Sequence, residues 1–392
     1  MTGLVRLSFA AFFFFYFAYI GLMSPYASLY FASKGFGAIE IAALMSMFQI
    51  TRILGPFAWG WLADMRRDRL GIMRITSALA CIIFSGIFYL ESYIALIIWM
   101  FLLNIVISSL MPLGEAATVH VLYKNNDFDK RYGRLRLWGS IGFIAMVLSA
   151  GAWFENFGID SFPWFGVVAL LIMTALTLTL REPPMDVVMH ADIKLSHVLK
   201  NTNVQWFMSA NFWMIFGHAG LYVFYSLYLD RLGYSKGEIG LFWMLGVLAE
   251  VIFFYFQSYF FARFTTKNIL RFAYFIAVVR FALMAYVPEL LILILAQVMH
   301  AATFGAHHSA SIKMLQIWFK GPLQARGQAL YTTVSYGIGG TVGGLFAGWV
   351  WEYLAPHHVF GLAALSSLLG YWCISRVKPQ NDAEVIQNSK IT

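Results

Sequence analysis

Long runs of apolar residues, interrupted only by isolated polar positions, alternate with short polar breaks along nearly the whole chain. They fall at approximately 7–31, 41–63, 71–90, 96–120, 137–155 and 163–180. After a longer polar stretch come 206–229, 239–262, 270–287, 289–312, 327–350 and 357–376. A helix needs about 20 apolar residues to cross a bilayer, so the pattern predicts twelve membrane-spanning helices with short loops. Only Glu91-Ser92-Tyr93 separates the third from the fourth, and Pro288-Glu289 the ninth from the tenth. The first run, Leu7 to Phe31, is longer than the roughly 7–15 residues of a signal peptide's apolar core. It is read as a retained helix.

Composition sharpens this reading. Of the 392 residues, 60% are hydrophobic, 18% aromatic and 12% charged, against about 25% charged in a soluble domain. The mean hydropathy is +0.70. So little charge cannot cover a water-facing surface, which excludes a cytosolic enzyme and a disordered scaffold. The net charge of +8 is no sign of nucleic-acid binding, because the cations sit in alternate loops. Cys81 and Cys373 lie in apolar runs, and two thiols make neither a disulfide framework nor a metal cluster.

Of the 27 Lys and Arg residues, only Lys34, Arg231 and Lys236 fall on the side opposite the N-terminus. Arg52 and Arg280 lie within spans, and all the others gather on the N-terminal side. By the positive-inside rule both termini are expected in the cytoplasm, with the protein in a bacterial inner membrane. The polar stretch near Pro183-Pro184 divides the chain. Two six-helix bundles are expected at 1–181 and 205–376, joined by a linker at 182–204 and followed by a tail at 377–392. A repeat supports the division: Ser28-Leu29-Tyr30, Gly35, Glu40 and Ile41 recur 198 residues later as Ser226-Leu227-Tyr228, Gly233, Glu238 and Ile239. Parallel repeats about the membrane normal are the symmetry of major facilitator transporters.

After the second span the chain reads Gly60-Trp61-Leu62-Ala63-Asp64-Met65-Arg66-Arg67-Asp68-Arg69. This resembles the major facilitator signature Gly-x-Leu-Ala-Asp-Arg-x-Gly-Arg-Arg, departing from it at Met65, Arg67 and Asp68. Gly60 is expected to let helices approach. Asp64 and Arg66, with Arg134 and Arg136 of the next cationic loop, are expected to act in gating. Further pieces resemble the phenylpropionate permease group, relatives of the lactose permease type of proton symporter. They are Met111-Pro112-Leu113 before Glu115, Tyr132 to Ser140, Gly246 to Ile252, and Val279-Arg280. The resemblance implies an all-α major facilitator fold and uptake of a small, aromatic or other organic carboxylic acid. It also implies a proton-coupling cluster of Glu250, Arg280 and His300 on three consecutive helices. Glu115 with Arg134 or Arg136 resembles the substrate-side acid–base pair of that type.

The residues themselves point to the same helices. An ionisable group at the bilayer centre costs about 2.5–3.5 kcal/mol on insertion scales and is a functional candidate. Arg52 and Glu250 are separated by the repeat offset. If both face a central cavity they could pair across it, and a carboxylate substrate could compete for Arg52 through a guanidinium fork; a static ion pair is the other reading. Helical spacing gives stripes: Asn104, Ser108, Met111, Glu115 and Thr118; Asn211, His218, Tyr222 and Tyr225; Trp243, Gly246, Glu250, Phe254 and Gln257; Gln297, His300, Phe304 and His307, with His308 beside them. Gln49, Arg52, Glu115, Asn211, His218, Tyr222, Tyr225 and Trp243 are assigned to substrate binding. Glu250 is the first choice as proton carrier and Glu115 the second. Gly340, Gly344 and Gly348, with Gly339 and Gly343 alongside, suit close helix packing in lipid.

A sugar or nucleoside symporter would suit the aromatic stripes as well, and export is not distinguished from uptake. An intramembrane enzyme is disfavoured because His-Glu-x-x-His, Gly-x-Ser-x-Gly and Cys-x-x-Cys are absent from the sequence. Buried charges in two halves suit alternating access better than a channel, and a sensor would need a soluble output domain. The expected partners are a small substrate, protons and the bilayer, without metal, cofactor or nucleic acid, in a monomer.

Overall fold

A computed structural model describes residues 3–124, 128–183, 196–319 and 323–378. Lys194, Lys320 and Lys390, most of the expected linker and most of the expected tail lie outside them. Among the described residues the chain is helical, without strands. The first six helices are α1 (Gly3–Ser33), α2 (Ala38–Arg66), α3 (Arg69–Ser85), α4 (Tyr93–Lys124), α5 (Phe128–Phe157) and α6 (Phe162–Thr179). The second six are α7 (Thr202–Arg231), α8 (Lys236–Arg263), α9 (Thr266–Tyr286), α10 (Leu290–Trp318), α11 (323–353) and α12 (His358–Arg376). Eleven are long and apolar enough to cross a membrane. The other is α11, whose glycines and hydroxyls lower its apolar content.

The repeat has a local physical basis. Gly35 and Gly233 end α1 and α7 at φ of 87° and 89°, a region open to glycine because it has no Cβ. Five residues beyond each, a glutamate caps the next helix. Glu40 accepts from the Gly37 N–H at 2.9 Å and Glu238 from the Ser235 N–H at 2.8 Å. These acids also face the positive end of a helix dipole. Lys34 beside the first turn bonds Asp160 at 2.8 Å, and this contact raises the ammonium pKa above its usual value.

Glycine sets the helix pairing. A Cβ at Gly142 of α5 would strike the Phe14 carbonyl of α1, and one at Gly139 the Phe17 ring. The same device recurs in the second half. Gly339 of α11 stands where a Cβ would come 2.9 Å from the Phe212 carbonyl of α7, and Gly343 abuts the Phe216 carbonyl. It is Gly339 and Gly343, the flanking pair of the glycine stripe, that make this approach. On α2, Gly60 has open space where a Cβ would stand; Gly55 is the close position, against Ser108.

Three helices depart from regular α-helical hydrogen bonding. The hydrogen-bonded turns of α4 lapse at Ser108-Ser109, one turn before Pro112, whose ring excludes the carbonyl four residues earlier. In α10, residues Ala301–Ala306 form a π-helical turn, and Thr332–Gly339 form another in α11. Arg67, at the position of the signature's second glycine, has φ of 52°. Asp68 caps α3, accepting from the Gly71 N–H at 2.7 Å.

The chain folds as two compact units, 1–187 with 222–244, and 188–221 with 245–392. The segment 222–244 therefore packs with the N-terminal helices. Tyr26 of α1 donates to the Val147 carbonyl at 2.7 Å, with the Lys236 carbonyl 3.3 Å away. Glu155 of α5 accepts from Ser235 Oγ at 3.0 Å and from the Gly237 N–H at 3.1 Å. Gly151 and Gly240 leave room for the approach.

Candidate functional site

Within the second unit, α8, α9 and α10 bring Glu250, Arg280 and His300 into one neighbourhood. Arg280 is wholly buried, with Ala273 and Ala277 of its own helix also buried. Its Nη1 lies 3.2 Å from His300 Nδ1 and donates to Thr303 Oγ1 at 2.8 Å. On the other side of the ring, His300 Nε2 lies 3.8 Å from Glu250 Oε2. Gly246 lets α10 approach α8: a Cβ there would come 2.9 Å from Gln297 Oε1.

His218 of α7 joins the group. Its Nδ1 is 2.9 Å from the Met214 carbonyl and its Nε2 is 3.4 Å from Thr303 Oγ1. A carbonyl only accepts, so in a neutral ring the proton is on Nδ1 and Nε2 accepts from Thr303. Guanidinium only donates, so His300 Nδ1 accepts from Arg280 and Nε2 carries the hydrogen facing Glu250. Two chains of donation thus leave Arg280. One runs through Thr303 to His218 and the Met214 carbonyl, the other through His300 toward Glu250. The side chain of Glu250 is 17% accessible, while Arg280 is closed to solvent. The carboxylate end is thus the more accessible end of the network.

Toward the cation-rich end of α10, His300, Phe304 and His308 stack in succession, with ring centroids 5.2 and 6.0 Å apart. His307 Nε2 lies 3.3 Å from Tyr274 OH. Asn211 is buried apart from the arginine cluster: Nδ2 donates to the Phe207 carbonyl at 2.8 Å, and Oδ1 accepts from Ser311 at 3.0 Å. Gln297 Nε2 is buried without a hydrogen-bond partner among the described residues.

A second cluster belongs to the first unit. Glu115 Oε1 of α4 accepts from Tyr132 OH at 3.0 Å and from Arg136 Nε at 3.2 Å, both on α5. The Arg136 guanidinium lies 4.6 Å from the centre of the Phe17 ring, and that of Arg52 4.4 Å from Phe48. Buried Tyr16 stands within electrostatic reach of Arg52, Arg136 and Glu115. Gln49 Oε1, one turn from Arg52, is buried without a hydrogen-bond partner among the described residues. Trp243 donates to Ser226 Oγ at 2.9 Å and meets Tyr225 edge-on at 5.8 Å. Tyr222 is half-buried.

Asp64, Arg66 and Arg134 are exposed. The buried ionic hub at that end of the first unit is Glu182, which sequence reasoning did not single out. Its Oε1 accepts from Arg69 Nη1 at 2.7 Å and lies 2.8 Å from His120 Nδ1. Thr303 was also missed. Its only signal was a hydroxyl one turn from His300. No group of three or more His, Cys, Asp or Glu among the described residues could hold a metal.

A family model described as the MFS_1 like family matches residues 6–362. The "Probable 3-phenylpropionic acid transporter" of Escherichia coli K12 is 28% identical over 372 residues, 94% of this chain and 96% of that one. The maltose permease of Geobacillus stearothermophilus is 23% identical, with 92% of each chain covered. Among solved structures, the nucleoside transporter NupG superposes with a TM-score of 0.85 at 17% identity, covering 97% of this chain and 100% of that one.

Proposed function

From the chain's membership of the MFS_1 like family of major facilitator transporters, we propose that it couples proton movement to uptake of a small aromatic or other organic carboxylic acid by alternating access. The observation that carries this reading is the membrane-embedded network of Glu250, His300, Arg280, Thr303 and His218. Charge this deep in a bilayer is retained where it works.

Glu250 is the proton carrier. As a carboxylate it faces the Nε2 hydrogen of His300, itself oriented by Arg280. Protonation removes the negative charge from that contact and frees the acid to leave it. Arg280 fixes the tautomer of His300 and, through Thr303, that of His218. Glu115, held by Tyr132 and Arg136, is the second candidate. For the substrate, Arg52 offers a fork to a carboxylate beside the Phe48 ring, and the unsatisfied Gln49 oxygen would accept from a ligand donor. The "Probable 3-phenylpropionic acid transporter" among the relatives supports an aromatic acid. The asymmetry of Lys and Arg supports cytoplasmic termini in a bacterial inner membrane.

A sugar or nucleoside symporter is the second reading, favoured by the likeness to maltose permease and to NupG. Uptake of labelled 3-phenylpropionate by cells expressing the chain tests the first. A protonophore should abolish accumulation, and Glu250→Gln should preserve exchange while blocking net uptake. Accumulation that survives the protonophore rejects proton coupling, and uptake of neutral sugars or nucleosides in place of acids selects the second reading.

A further inference from the structure

A cavity of about 250 Å³ opens between α9 and α12, lined by Asn268, Arg271, Phe272, Phe275 and Tyr371, none of them a member of either cluster. Its chemistry is graded. Asn268 and Arg271 stand in the first two turns of α9, and Arg271 Nη2 donates to Tyr371 OH at 3.1 Å. Below them Phe272 and Phe275 are 57% and 55% exposed on a helix apolar enough to cross a membrane. These rings therefore face lipid. From Asn268 to Phe275 is about 10 Å along the axis, the depth over which a bilayer passes from headgroup to acyl chain.

The charge here is of one sign. Neither α9 nor α12 contains Asp or Glu. Lys267, Arg271 and Arg376 all stand at this end, with Lys378 just beyond. Lys267 Nζ donates to the Ser375 carbonyl at 3.2 Å, and the Arg376 guanidinium lies 5.1 Å from the centre of the Trp372 ring. Among the described residues no carboxylate comes within ion-pair distance of Arg271. A cationic rim over an apolar wall at the membrane surface fits one ligand class.

We propose that this groove binds an anionic phospholipid, its phosphate at Arg271 and Asn268 and one acyl chain along Phe272 and Phe275. Basic pockets between membrane helices hold acidic headgroups in this way. The site is independent of the transported substrate.

The test is native mass spectrometry of the detergent-purified full chain, equilibrated with equal amounts of phosphatidylglycerol and phosphatidylcholine carrying identical acyl chains. The wild type should retain phosphatidylglycerol preferentially. Arg271→Gln should lower that preference about fivefold, while Arg271→Lys keeps most of it and Lys313→Gln, on α10, leaves it unchanged. Melting curves in phosphatidylcholine separate lost lipid from lost fold. Equal preference in wild type and Arg271→Gln overturns the proposal, as does a Lys313→Gln loss as large as that at Arg271. Displacement of the lipid by millimolar inorganic phosphate would also overturn it, because the site would then be one for free anions.

Discussion

Thr303 accepts from Arg280 and, in the neutral tautomer of His218, donates to that ring. Removing its hydroxyl leaves a buried cation and an imidazole each short of a partner, a loss of about 1–3 kcal/mol or more. Thr303→Val, nearly the same shape, should slow net uptake about tenfold and change its pH profile. Thr303→Ser should restore both, and an unchanged profile in the valine variant would reduce Thr303 to packing. The residue was not legible because the sequence was read at 3.6 residues per turn. A π-helical turn over Ala301–Ala306 shifts the phase of the residues within and after it, and such turns gather at functional sites. Glu250 and Arg280 stood out because ionisable groups are so rare in these spans, and the resemblance to the lactose permease type grouped them with His300. Periodicity sets Asn211 on one face with His218, but it cannot say that its amide is already engaged by Phe207 and Ser311.

At the level of helices, apolar run length located the spans, and the recurrence of Gly35 and Glu40 as Gly233 and Glu238 marked the turns that share a geometry. Close approaches were harder to read. A glycine announces that a neighbour could come near, not that one does, as Gly60 and Gly55 show on the same helix. Gly343→Val should lower the melting temperature of the purified protein, since its branched side chain must displace the Phe216 carbonyl of α7 at a cost of about 1–3 kcal/mol. Gly60→Ala, with open space at its Cβ, should hold or slightly raise the melting point, because alanine favours a helix over glycine by roughly 1 kcal/mol. Equal losses from the two would remove the distinction. The fourth helix of each half is interrupted near its middle, α4 by Pro112 and α10 by the π turn. Different local chemistry serves the same position in the repeat.

For the whole molecule, the sequence divides at its longest polar stretch, while packing draws the line elsewhere. Residues 222–244 come after that stretch yet belong with the N-terminal helices, through contacts that no motif advertises. Tyr26 and Glu155 are ordinary residues at unremarked positions, and only the folded chain sets them against Lys236, Ser235 and Gly237. Covalent continuity is then not the sole means of holding the two polypeptide halves together. Fragments 1–183 and 196–392, translated from separate messages in one cell, should copurify when only the first bears an affinity tag. Combining Tyr26→Phe with Glu155→Ala should weaken the association of the fragments by at least about a hundredfold and cut the recovered partner accordingly, in line with the loss of one neutral and two charge-assisted bonds. Undiminished recovery would show that the clasp is not what joins them. If it is, a gene fission at this point would be survivable, and the hairpin would serve as its heterodimerisation tag.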